Sequence, residues 1–502
     1  MKSIYRITRV ICFLCVVSVA LLASSAQTFQ IIDSFDGPDG MYPYYISLAQ
    51  GLDGNLYGTT YAGGVIHCVS NIGCGTVFRV TGNELTSIYK FPCQESDCSQ
   101  GQFPLSGLVL ATDGNFYGVT SDGGTFGQCI GGCGTVFRIT PKGELTTIYS
   151  FCSRENCGDG YDPLAPLIQA SDGYLYGTTN AGGANQGGTI FKISLSGVFT
   201  PIHSFRCEYC SPGVGPLVEG PDGNFYGTAA DGLHGTIFKV APNGRFTNLY
   251  TFCSQPNCTD GDGPDALFLS TDGNFYGTTA FGGLQNCGLY FGGGCGTVFR
   301  LSPEGYLSTL YRFCAQPTCV DGATPLAGMI QGTDGAFYGT TSEGGDLGTP
   351  ECAAQVVGCG TIFRITPAGS LATVYRFQSP SEGYQPTGGL VQRTDGDFYG
   401  TTQYGGAAPG NGFGTVFRFS MGLQPFVALV RNSGKVGQMV PILGQGFTQT
   451  TGVAVDGIPA TFIVVSDTLI TARIPAGATA GYVTVTTPGG MLTSNLPFRV
   501  IP

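Results

Sequence analysis

The residues of this 502-residue chain best able to do chemistry are its cysteines, three histidines, and acids and cations that recur in register. Of 20 cysteines, Cys12 and Cys15 fall in an N-terminal apolar segment, and the other 18 form nine close pairs. Five pairs follow one recurrent strand: Cys93/Cys98, Cys152/Cys157, Cys207/Cys210, Cys253/Cys258 and Cys314/Cys319. Four lie between two others: Cys68/Cys74, Cys129/Cys133, Cys287/Cys295 and Cys352/Cys359. Neighbouring thiols either oxidise together or share a metal. Structural zinc needs four ligands and only Cys207-x-x-Cys210 has knuckle spacing, so zinc is the rival reading and nine disulfides are the expectation for an exported chain. Each would close a loop of a few residues, contributing about 2 kcal/mol. Their expected task is loop rigidity.

His67, His203 and His234 share no register, so a histidine-based catalytic centre or metal cage is not expected. Seven tyrosines do share one (Tyr57, Tyr117, Tyr176, Tyr226, Tyr276, Tyr338 and Tyr399), and identical residues in identical surroundings predict packing between repeats rather than a ligand platform. Seven cations share another: Arg79, Arg138, Lys192, Lys239, Arg300, Arg364 and Arg418. They sit on a strand far from any central axis, which predicts salt bridges or solvated positions instead of an anion site. Acid-Gly pairs at Asp39, Asp159, Asp260, Asp321 and Glu382 invite a calcium reading, but they lack the spaced oxygen ligands of an EF-hand. There is no G-x-S-x-G elbow, H-E-x-x-H pair or P-loop. Neither catalytic residues nor a cofactor or metal are expected.

The elements that must carry these residues are repeats. Asp-Gly, followed by Tyr-Gly, recurs at Asp53, Asp113, Asp172, Asp222, Asp272, Asp334 and Asp395, a period of 50 to 62 residues that suits propeller blades. Each unit predicts four strands: one ending at Leu48, Leu108, Leu167, Leu217, Leu267, Met329 or Leu390; a Tyr-Gly-Thr-Thr strand after the Asp-Gly hairpin; a Gly-Thr-(Val/Ile)-Phe-(Arg/Lys) strand; and one like 145–151. The seventh unit stops after its third strand. The missing strand is at the other end, where 28–35 reads like every fourth strand, so the array should close as a ring with no open edge. The expected fold class is all-β, a seven-bladed β-propeller over 27–420 followed by an immunoglobulin-like sandwich over 424–502.

Composition agrees. Glycine is 82 of 502 residues, aromatics are 12% and charged residues only 11%, which excludes a solvated disordered chain and favours short strands with tight turns. Lys2, Arg6 and Arg9, the apolar stretch 10–23 and Ser24-Ser25-Ala26 read as a signal peptide over 1–26, too short for a membrane span. The whole-chain charge of −11 becomes more negative once those three cations are removed, so nucleic acid is an improbable partner. No later run approaches a membrane span.

The recurring D-G-N-F-Y-G-T-T-x-x-G-G, followed by G-T-V-F-R, resembles the GloVer-type tandem repeat over residues 28–420. That resemblance implies an exported bacterial protein in a secreted or cell-surface setting, with no established activity. Residues 424–502 contain no cysteine, and 440–447, Asp456-Gly457, 466–471, Ile474-Pro475 and 481–485 resemble an IPT/TIG domain, matching short alternating strands read independently. The expectation is a non-enzymatic binding or scaffold protein for an extracellular protein or polysaccharide, without a membrane span. The alternative is an extracellular polysaccharide lyase or hydrolase. Loops between second and third strands run 14, 13, 8, 5, 16, 18 and 11 residues, while the opposite hairpins barely vary, so function is expected on the stapled face. The longest loops, 280–295 and 342–359, and the shortest, 230–234, predict a lopsided rim.

Overall fold

Seven four-stranded antiparallel sheets form from the seven Asp-Gly units. The computed structural model describes residues 27–501 except 66–71, 93–97, 125–128, 130, 207–214, 230–233, 286–292, 346–351, 353–357 and 408–411. Six blades run outward in sequence order, as in Val109–Leu110, Phe116–Thr120, Thr135–Ile139 and Leu145–Ser150. The seventh sheet is Val391–Gln392, Phe398–Thr402, Thr415–Ser420 and then the N-terminal strand Thr28–Ser34. Its register identifies that strand as a true fourth strand. In the other blades a bulge falls between the paired apolar residue and Phe of the third strand, as at Val77/Phe78 or Val136/Phe137. The same shift separates Ile31 from Asp33 opposite Phe417 and Val416. A bulge at one place in every blade gives each the same extra twist.

Sequence dictates the packing closely. The second strand is buried along its whole length, because it lies between two strands and two neighbouring blades. Its glycine is required by close approach: a Cβ on Gly58 would come within 2.5 Å of the Phe78 ring and 2.9 Å of Leu48. The tyrosine beside it stacks on the next blade, with Tyr57 to Phe116 at 4.3 Å, Tyr176 to Phe225 at 4.0 Å and Tyr226 to Phe275 at 4.2 Å between ring centroids. Aromatic pairs repeated around a ring contribute roughly 0.5–1.5 kcal/mol each beyond their burial.

The innermost strand departs from its sequence reading. Leu48 and its counterparts do not end it; they stand just before a ladder of only two residues, such as Ala49–Gln50 or Ile330–Gln331. Ahead of the ladder the blades are joined by threonine hydroxyls instead, Thr59 Oγ1 donating to the Ser106 carbonyl at 2.8 Å and Thr278 Oγ1 to that of Ala327 at 3.1 Å. Blade five differs again. Its innermost strand is the eight-residue Asp262–Leu269, interrupted by a register shift between Pro264 and Leu267.

Beyond the ring, one sheet of the sandwich combines Ala428–Leu429, Met439–Leu443, Leu469–Arg473 and Phe462–Ser466. The other combines Ile458–Pro459, Gly452–Val455, Val483–Thr487 and Gly490–Thr493, and Val440, Ile442, Phe447, Ile470, Val485 and Phe498 fill the space between them.

Candidate functional site

On the hairpin face the recurrent tyrosines and Asp-Gly acids are used by the scaffold. Each of the seven register tyrosines donates its hydroxyl to the Asp-Gly carboxylate four residues earlier, at 2.7–3.1 Å. The same carboxylate accepts the backbone N–H two residues on, as from Asn55, Asn115 and Asn224. Four of the seven register cations join them: Lys239 meets Asp222 at 2.7 Å, Arg364 meets Asp334 at 2.8 Å, Arg418 pairs with Asp397, and Lys192 lies over the Tyr174 ring, whereas Arg300 is exposed and the Nε of Arg79 and of Arg138 is buried without a hydrogen-bond partner among the described residues. Burial works against ionisation of Asp222, but Lys239, Asn224 and Tyr226 outweigh it and carry its pKa down to about 2. The tyrosines thus serve packing, and the Asp-Gly acids hold the turn and the tyrosine together, with the register cation added at Asp222 and Asp334.

The sandwich docks on this same face. Thr468 Oγ1 donates to the Leu52 carbonyl at 2.9 Å, Arg499 Nη1 to the Pro221 carbonyl at 2.8 Å, and the Phe426 N–H to the Thr394 carbonyl at 3.1 Å. All three acceptors are backbone carbonyls. They belong to blades one, four and seven, so the sandwich reaches across the hairpin end of the ring. Arg499 also approaches Glu219, at 3.9 Å.

The stapled face is built differently. Cys129–Cys133, Cys152–Cys157, Cys253–Cys258, Cys314–Cys319 and Cys352–Cys359 are bonded as sequence-local pairs. Cys68, Cys93, Cys207, Cys210 and Cys287 lie outside the described residues, as does His67; Cys74, Cys98 and Cys295 are disulfide-bonded. The sulfurs of the two blade-two staples lie within 4.8 Å of one another, the nearest approach to the zinc reading, yet they are paired as disulfides. His234 holds Asp262 at 3.0 Å, and His203 stacks on Phe246 at 4.5 Å.

The acid-Gly pairs are also explained by the scaffold. Asp159 is fully buried and accepts from the Tyr149 hydroxyl, the Ser153 N–H and hydroxyl, and the Arg154 N–H; Asp260 and Asp321 repeat the pattern. The glycine that follows sits on a threonine pair of the next blade: at Gly40, with φ +140°, a Cβ would fall 2.5 Å from Thr60 and 2.9 Å from Thr76. At Asp159, Asp260 and Asp321 the carboxylate oxygens are thus occupied by protein donors.

At the centre of the stapled face the channel opens into a cavity of about 410 Å³. Its lining comes from the residues just before the innermost ladders of all seven blades, among them Tyr45, Ser47, Pro166, Pro216, Asp265 and Thr387. Most are apolar, and three break the sevenfold pattern. Tyr45 is 48% exposed and holds a left-handed φ of 48° that no other blade repeats at that position among the described residues. Asp265 stands in the blade-five register shift, and burial in these apolar surroundings pushes its carboxyl up to about 7. Thr387 is 3% exposed, and its hydroxyl has no partner among the described residues. Sequence reading passed over all three because it weighed residues common to every blade. A signal was there: among the three residues ahead of Leu48 and its six counterparts, Asp265 is the only ionisable one apart from Tyr45. The tips of the longest loops, and 230–233 of the shortest, lie outside the described residues, as does the lopsided rim they were expected to form.

Comparison with known proteins follows the same division. The Gloeobacter/Verrucomicrobia repeat matches residues 18–156, 70–291 and 292–442, and the IPT/TIG domain matches 425–500. No curated protein sequence matches. Among solved structures, a streptogramin B lyase is 12% identical, with 78% of this chain and 97% of that one covered and a TM-score of 0.48. A virginiamycin B lyase from Staphylococcus aureus is also 12% identical, covering 79% and 99% at a TM-score of 0.48. A protein of unknown function from Bacteroides thetaiotaomicron is 15% identical, covering 79% and 76% at 0.40. Repeat motifs, blade geometry and family match together place this chain in the Gloeobacter/Verrucomicrobia repeat family, with an IPT/TIG domain at its C-terminal end.

Proposed function

We propose that the chain is an exported, non-enzymatic binding protein that takes its ligand at the channel mouth of the stapled face, in a secreted or cell-surface setting. The observation that carries this reading is the cavity itself, whose lining breaks the symmetry of the ring while the opposite face is occupied by the sandwich. Its volume falls within the range of small-molecule sites, roughly 300–1,000 Å³. Disulfides on the same face fit an oxidising compartment and lower the entropy cost of engaging a ligand. Among the described residues no helix is long and apolar enough to cross a membrane. Under this reading 1–26 is a signal peptide, all nine cysteine pairs are oxidised, and the sandwich acts as spacer or second binding module.

A specific observation favours the polysaccharide lyase or hydrolase as second reading: a carboxyl with a pKa of about 7 can take up or release a proton at neutral pH. The test is a screen of the intact protein against extracellular glycans and peptides, followed by Tyr45→Ala. Binding that is lost in the variant, with the glycan recovered intact, supports a binder. Cleaved glycan supports the enzyme, and ligands unaffected by Tyr45→Ala but lost on altering the hairpin face refute the site.

A further inference from the structure

We propose that the ligand of the channel mouth is a protonated amine carried on an apolar body, an inference that rests on the site proposed above. Two groups of different chemistry meet at the cavity, each from a different blade. Asp265 of blade five is the only carboxylate in the lining, and no Lys or Arg joins it there. Its carboxylate has no hydrogen-bond or ion-pair partner among the described residues, although its backbone carbonyl is used, accepting from Thr228 Oγ1. The register shift between Pro264 and Leu267 is where its strand bends. A bulge re-aims the side chain it carries and recurs next to functional sites.

Tyr45 of blade one supplies an exposed aromatic ring, close enough to Asp265 that, after burial, the aspartate's charge is the main influence raising its phenol. It continues into an arc of rings: Tyr44 lies 5.5 Å from Tyr45 and 6.0 Å from Tyr61, and Tyr61 lies 4.9 Å from Phe103. A carboxylate facing an aromatic surface is a cation site, because the ring face and the anion attract the same charge. The rest of the wall, Leu105, Leu164, Pro166, Pro216, Pro264 and Leu326, offers carbon only, which selects an apolar body.

Two further acids stand on this side of the ring. Asp122 and Asp162 stand on the same face, and burial, with Asp162 beside it, pushes Asp122 up to about 6. Neither forms a salt bridge among the described residues.

The test uses the full chain and two isosteric probes, 2-phenylethylamine and 2-phenylethanol, at a pH where the amine is protonated and Asp265 is ionised, with binding read by calorimetry. The amine should bind at least ten-fold tighter than the alcohol. Asp265→Asn should remove that advantage while leaving the affinity for the alcohol nearly unchanged and without lowering Tm. Tyr45→Ala should weaken both probes. Equal affinities in the unaltered protein, or an amine affinity untouched by Asp265→Asn, would overturn the cation inference while leaving the channel as the site. If neither probe bound, or both bound without regard to Tyr45, the site would fall with the inference.

Discussion

The acids of the Asp-Gly turns and the raised acids of the stapled face stand in opposite surroundings. On the hairpin face, acids are surrounded by donors. Asp222 is carried down to about 2 against the effect of its burial, and Asp272 is lowered despite burial by Asn274, Tyr276 and Ser270. On the stapled face, burial raises Asp39 and Asp265 to about 7, Asp122 to about 6, and Asp162 and Glu343 above the usual carboxylate range. A carboxylate fully satisfied by its own fold is architecture. Asp265, at the channel mouth with no partner for its carboxylate among the described residues, is available for something else.

Both faces depend on ring closure, so the largest effect should come from removing the N-terminal strand. Without 28–34 the strand Thr415–Ser420 becomes an open edge, and Phe29 no longer stacks on Tyr375 at 3.9 Å. Size-exclusion chromatography should show aggregation and calorimetry a fall in Tm larger than for any single substitution; a stable monomer would break the ring assignment. Disulfide reduction comes next. Thiol counting should find 18 masked thiols in exported mature protein, and reduction should expose the stapled-face loops to protease while the Asp-Gly turns stay intact. The blade-seven connection keeps the same geometry without cysteines, Pro380 offering its carbonyl to the Gly383 and Gly406 N–H groups as Cys157 does to Gly160 and Gly183. The reduced ring should therefore remain folded at lower Tm.

Titration should separate the faces directly. Between roughly pH 4 and the raised values, Asp39, Asp122 and Asp265 hold a proton when folded that the unfolded chain has released, so stability falls as pH rises towards about 7. Asp222 has the opposite sign: its contribution is present above the unfolded value and is lost as pH falls towards about 2. Maximum Tm is expected on the acid side of neutrality, and Asp265→Asn should raise Tm slightly at about pH 8 but not at about pH 4. The smallest effect is expected from Tyr226→Phe, which removes one hydroxyl bond to Asp222 and should cost about 1 kcal/mol in chemical denaturation. It should leave ligand binding unchanged; a larger effect on binding than on stability would blur the distinction between the faces.

How much of this was legible in the sequence follows from what a repeat displays. Tyr57 and its six counterparts could be assigned to packing because identical residues meet identical neighbours, and the strand 28–34 could be placed because its pattern was missing from the seventh unit. The docking of the sandwich could not be read, since it relies on the carbonyls of Leu52, Pro221 and Thr394, groups that every residue carries. The acid-Gly pairs suggested a metal only because the sequence hides their donors: Tyr149 is ten residues from Asp159, and two of the other groups are backbone N–H. Asp265 was hidden by the symmetry that revealed the rest. Its importance lies in being unlike its six counterparts, and in a register shift that becomes visible only once the strands are paired.

The central claim is that ligand binds at the channel mouth of the stapled face. Hydrogen–deuterium exchange on the full chain, with and without the tightest ligand from the screen, tests it most directly. The account predicts slowed exchange in 44–47, 264–266 and 387–389, with the Asp-Gly turns and the sandwich unaffected. Protection confined to the turns at 53–54, 222–223 and 334–335, or to the sandwich, would contradict it.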